Sequence, residues 1–133
     1  AVDPAELHAS LRRDPGVVHV RKRIQEYAAS GRRFEVIVND MRMDALESVG
    51  IMLASRARLR DGGLALVTLK LPERIASISG ALASVRALVA RLAEGYTVLD
   101  ARRLYHNRSE VTVALQTPVA TGGGRAGAGK RVN

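Results

Sequence analysis

The stretch FEVIVND (34–40) decides the fold together with its echo, LALVTLKLP (64–72). Each is a short run rich in branched apolar residues, and each reaches a charged residue at or near its end. Runs of this length predict parallel strands buried on both faces of an α/β sheet. Open α/β sheets keep their chemistry at the carboxyl ends of such strands. Asp40 and Lys70 are therefore expected to face one crevice, although they stand thirty positions apart in the chain.

Outward from these runs the chain alternates. Asp44 is placed to cap a helix whose apolar positions Leu46, Val49, Leu53 and Ala57 share one side. Asp61-Gly62-Gly63 reads as the stop of that helix. A second long helix is expected from Ser77 to Glu94, with Leu82, Val85, Leu88, Val89 and Leu92 as its core stripe. Tyr96–Leu104 and Glu110–Gln116 read as strands. The connection His106-Asn107-Arg108-Ser109 is so short that the two must form an antiparallel hairpin. At the amino end, Val2-Asp3-Pro4 reads as the tail of a strand and Pro4–Arg13 as a helix. Val17–Val20 reads as a short strand and Ile24–Ser30 as a weak helix. The expected class is α/β: a mostly parallel sheet flanked by helices, closed by a carboxyl-terminal antiparallel hairpin. Residues 1–118 would form the domain, and 119–133 a Gly-rich basic tail without fixed structure.

Composition bounds the function. The chain has 133 residues, 47% of them hydrophobic, enough for one modest core. It has no Cys, which excludes disulfides and thiolate chemistry, and its three His show no metal-ligand spacing. No apolar run approaches a membrane span and no signal peptide is visible, so the cytoplasm is the expected compartment. Net charge is +8, concentrated in Arg12-Arg13, Arg21-Lys22-Arg23, Arg32-Arg33, Arg56/Arg58/Arg60, Arg102-Arg103 and the tail. Such clusters suit a polyanion partner, although an Arg-rich composition also produces plain solvated faces. Aromatic residues make up 3%, so binding would rest on phosphate contacts rather than base stacking.

The strings VNDMRM (38–43), VTLKLPER (67–74) and ARRLYHNRSEVTVAL (101–115) resemble the FtsJ-like ribose 2'-O-methyltransferases, and within them the RlmM-type enzymes that act on 23S ribosomal RNA. The resemblance covers residues 1–118 and implies a class I methyltransferase fold, S-adenosylmethionine (SAM) as methyl donor and RNA as partner. It implies catalytic roles for Asp40, Lys70 and Glu110. It also implies that Asp3 binds the ribose hydroxyls of SAM and that Asp40 borders the cofactor. A ribose hydroxyl is a poor nucleophile, so a neutral Lys that takes its proton, held by flanking carboxylates, suits the reaction. The plainer reading of Lys70 is a strand-end cation snorkelling to water. For Asp3 it is an ordinary helix-start acid.

The family's first strand and Gly-rich loop would precede Ala1. The acid that reads adenine is replaced by Arg21-Lys22-Arg23. SAM binding by these 133 residues is accordingly expected to be weak or absent. The edge beside 34–39 is expected to need a cover, from a second copy or another segment. Two alternatives stay open: a non-catalytic RNA-binding module on the same sheet, and a class I methyltransferase with a non-RNA substrate. Asn39, as pocket lining or strand-end cap, and His106 are weaker candidates.

Overall fold

The computed structural model describes residues 1–27, 31–71, 77–103 and 109–119. Two compact units divide the chain, Ala1–Arg33 and Phe34–Asn133. In the first, the two expected strands shrink to a single parallel bridge between Val2 and Val20. The expected helix Pro4–Arg13 shrinks to one turn, α1 (Ala9–Arg12). The Asp3 carboxylate explains part of this, because it accepts the Ala5 N–H at 2.7 Å and turns the chain there. Ile24–Glu26 is a single 3-10 turn, and residues 28–30 of the expected weak helix lie outside the described residues.

The second unit holds the sheet. Its strands are β1 (Phe34–Asn39), β2 (Leu59–Lys70), β3 (Thr97–Arg102) and β4 (Glu110–Gln116), in the order β1-β2-β4-β3. β1 and β2 are parallel, and β4 runs antiparallel to both of its neighbours. Three strands thus share a direction and β4 opposes them, which is the expected closing hairpin inserted beside β2.

Two helices pack on this sheet: α2 (Ala45–Ser55) and α3 (Ile78–Ala93). Asp44 caps α2 as expected, its Oδ1 accepting the Leu46 N–H at 2.8 Å and the Glu47 N–H at 3.3 Å. Val49 and Met52 of α2 and Leu92 of α3 meet Ala65, Val67, Leu69, Val113 and Leu115 in one fully buried core.

Several expectations need correction. The strands are not buried on both faces. Val36, Val38, Leu64 and Leu66 stay exposed, because α2 and α3 both cover the other side. The face of α2 is rotated from the expected stripe: Ala45, Ser48, Val49, Met52 and Ser55 are buried while Leu46 and Ala57 face solvent. Small residues let the helix sit close to the sheet, so size outweighs hydrophobicity there. In α3 only the carboxyl half of the stripe, Leu88, Val89 and Leu92, reaches the core, and Leu82 is exposed.

Asp61-Gly62-Gly63 does not stop α2, which ends at Ser55. It lies inside β2, as an excursion between the pairs Phe34–Leu59 and Val36–Leu64. Gly62 takes φ +71°, which favours glycine, and a Cβ on Gly63 would stand 2.8 Å from the Arg60 carbonyl. Thr117 pins the excursion by donating through its hydroxyl to the Arg60 carbonyl at 2.7 Å. Pro72, Leu104, the connection 104–108 with His106, and the tail from 120 onward lie outside the described residues. No described helix is long and apolar enough to cross a membrane.

Candidate functional site

Register assembles the site. Lys70 and Glu110 are direct cross-strand partners at the end of the β2–β4 ladder, so their side chains stand on one face. The Lys70 Nζ donates to Glu110 Oε1 at 3.1 Å. The Leu71 N–H bonds the Ser109 carbonyl at 2.7 Å, which extends the ladder past the pair and fixes both backbones. Asp40 arrives from β1. It follows the Asn39–Val67 pair and so comes abreast of Thr68, with Oδ1 at 3.7 Å from Lys70 Nζ. The three residues expected to converge therefore do so: one ammonium between two carboxylates, at the carboxyl edge of the parallel pair.

Burial within the cluster is graded. The Lys70 and Glu110 side chains are 26% and 28% exposed, and that of Asp40 is 68% exposed. Lys70 and Glu110 thus form a half-buried pair, and Asp40 opens toward solvent beside it. Asn39 acts as the strand-end cap: its Oδ1 accepts the Met41 N–H at 3.1 Å, spanning Asp40 and setting the turn that carries it. Asn39 Nδ2 is buried with no hydrogen-bond partner. Asp3 belongs to the first unit, where it is exposed and engaged with Ala5.

The face that carries the cluster is the uncovered one. Its rows, read across the sheet from paired residues, change from apolar to ionic along β2. Val36–Leu64–Gln116–Thr97 comes first, then Val38–Leu66–Ala114–Asp100. Next come Thr68–Thr112–Arg102 with Asp40 abreast, and Lys70–Glu110 closes the series. The alternation Leu64, Leu66, Thr68, Lys70 shows this gradient in the sequence. The placement of Thr112, Asp100 and Arg102 on the same face needed the register of β3 and β4 and was missed.

No family model and no curated protein sequence matches the chain. Solved structures do. The chain is similar to the fibrillarin pre-rRNA processing protein of Methanococcus jannaschii, at TM-score 0.62 and 17% identity over 77% of this chain and 46% of that one. It is similar to a presumptive hemolysin of Streptococcus thermophilus at TM-score 0.71 and 17% identity, over 88% of this chain and 50% of that one. A third likeness is to the 16S rRNA (adenine(1408)-N(1))-methyltransferase W203A mutant from Catenulisporales acidiphilia. There the TM-score is 0.51 and identity 19%, over 81% of this chain and 62% of that one. What these likenesses show is the fold, a mixed α/β sheet with flanking helices of the kind seen in a methyltransferase structure. The chain spans 46% to 62% of the length of these three structures.

Proposed function

We propose that residues 1–118 are part of an RNA ribose 2'-O-methyltransferase domain of the FtsJ-like, RlmM-type class, acting on ribosomal RNA of the 23S kind. The observation that carries this reading is Lys70 held between Glu110 at 3.1 Å and Asp40 at 3.7 Å at the carboxyl edge of the sheet. The basic clusters of the sequence and the likeness to a pre-rRNA processing protein and an rRNA methyltransferase support RNA as the partner.

The donor chemistry fits SAM at one end. Asp40 presents an open carboxylate that suits a sulfonium, and it is the residue of the sheet unit that would hold the cofactor. SAM, when bound, supplies an electrophilic methyl group. The chain's own residues do the rest. Glu110 fixes the Lys70 side chain by accepting from Nζ, so the amine stands at one place on the sheet edge. For the transfer, Lys70 must first release its own proton to solvent; it then takes the proton of the ribose 2'-hydroxyl while that oxygen attacks. The resulting ammonium is matched by Glu110 and Asp40, which stabilise the charge as it forms. Fixed position supplies much of the rate in such a transfer.

The test is transfer of labelled methyl from SAM to ribosomal RNA by the longest natural chain that contains these residues. Lys70→Ala should abolish most transfer while RNA affinity stays nearly unchanged. Lys70→Arg should fail as well, since a guanidinium keeps its proton. Wild-type turnover in Lys70→Arg would reduce Lys70 to an electrostatic cation and overturn the assignment.

A further inference from the structure

The ionic end of the open face holds a second basic residue that the proposed chemistry does not use. Arg102 closes the row Thr68–Thr112–Arg102, one row in from Lys70–Glu110. Two strand spacings put it about 10 Å across the sheet from β2, and two residues put it about 7 Å along the strand from the Lys70 row. An extended arginine side chain and one or two nucleotides span that separation. The Arg102 side chain is mostly exposed.

Its guanidinium is also oriented. Asp100, two residues back on the same face, accepts from Arg102 Nε through Oδ2. Asp100 is itself fixed, because its Oδ1 accepts the Ala101 N–H at 2.9 Å. This pairing engages Nε. With Nε engaged, the two terminal nitrogens are the donors that can grip a phosphate in bidentate fashion. A carboxylate that holds Nε therefore aims the terminal nitrogens, and because the pair carries no net charge, its grip on phosphate rests on that aim rather than on bulk attraction.

We propose that Arg102, aimed by Asp100, binds a backbone phosphate of the RNA strand whose ribose reaches Lys70. This rests on the reading of the site as one that acts on RNA, and it adds a track for the strand: over the β4–β3 side of the carboxyl edge, from Lys70 toward Arg102.

The experiment measures binding of a labelled single-stranded oligoribonucleotide to the 133-residue chain across a salt series. Arg102→Gln should weaken binding and lower the slope of log affinity against log salt by about one. Arg86→Gln is the control. It removes the same charge from α3, on the covered side of the sheet, and should leave the slope within error of wild type. Equal losses in the two variants would mean diffuse attraction and overturn the proposal. Asp100→Asn gives the sharper arm. It makes the chain more positive, so simple electrostatics strengthens binding, whereas loss of aim weakens it. Weaker binding is expected, and stronger binding would overturn the orienting role. Inorganic phosphate at matched ionic strength should not displace the RNA. Full displacement would mean a free-phosphate site and also overturn the proposal. Methyl transfer is a separate readout: if Lys70→Arg keeps turnover while these binding results hold, the catalytic assignment falls and the phosphate contact stands.

Discussion

Tyr96 shows how one residue ties an element into place. Its hydroxyl donates to the Met52 carbonyl at 2.6 Å, one of the last four carbonyls of α2, which lack partners within the helix. Burial raises its pKa to about 12 from 10.0, against an opposing pull from Arg56. The sign follows from proton counting. Between about 10 and about 12 the folded chain keeps a proton that the unfolded chain has released, so stability is full below the lower value and falls as pH rises. Tyr96→Phe should cost about 1 kcal/mol at neutral pH through the lost hydrogen bond. It should also flatten the alkaline limb of a urea-unfolding series, and an unchanged limb would assign that limb to another group. Thr112 points the other way. Its Oγ1 is buried without a partner. Thr112→Val keeps the shape, removes an unpaired hydroxyl, and should stabilise the chain by about 1 kcal/mol in the same assay.

At the scale of elements, the strands and the catalytic candidates were legible where one local pattern decides them. FEVIVND and the alternation of 110–116 predict β1 and β4, and a strand-end charge marks Asp40 and Lys70. The shared crevice of Asp40 and Lys70 followed from the strand ends, Glu110 joined them through the family resemblance, and the register brings all three together. Elements whose form depends on a neighbour were not legible. The buried face of α2 is chosen by close approach to the sheet, which exposes Leu46 and buries Ser48. The excursion at Asp61-Gly62-Gly63 is chosen by Thr117, fifty-odd residues away, so its glycines looked like a helix stop. That excursion can be tested. Gly63→Ala would push a Cβ to 2.8 Å from the Arg60 carbonyl and 3.2 Å from the Glu35 carbonyl, both backbone atoms. The variant should lose about 2 kcal/mol or more in thermal or urea unfolding, because neither atom can swing aside. A loss no larger than that of an exposed-site control would mean that the β1–β2 register slips to accommodate it.

The whole molecule is governed by an asymmetry that no single segment encodes. One face of the sheet is sealed by α2 and α3, while the other presents Val36, Val38, Leu64 and Leu66 beside the ionic cluster. Parallel strands are ordinarily covered on both faces, and a contiguous apolar patch on a sheet marks a surface meant to be occupied. Among the described residues β1 is an edge strand, and a sheet edge is a surface that invites a further strand. The 133-residue chain in isolation should therefore associate with itself as its concentration rises, and the contact should form on this face rather than on the helices. Val38 is 64% exposed and Leu66 is its cross-strand partner, so paired Val38→Lys and Leu66→Lys substitutions place two charges at the centre of the patch. Sedimentation should then show a monomer across the range where the parent chain associates, with unchanged far-ultraviolet circular dichroism. A control pair on the helical side, Leu46→Lys with Leu82→Lys, should leave association intact. If the parent chain stays monomeric throughout and binds no hydrophobic dye, the patch is tolerated bare. If the control pair dissolves the assembly instead, the contact lies on the helices, and the open face needs another explanation.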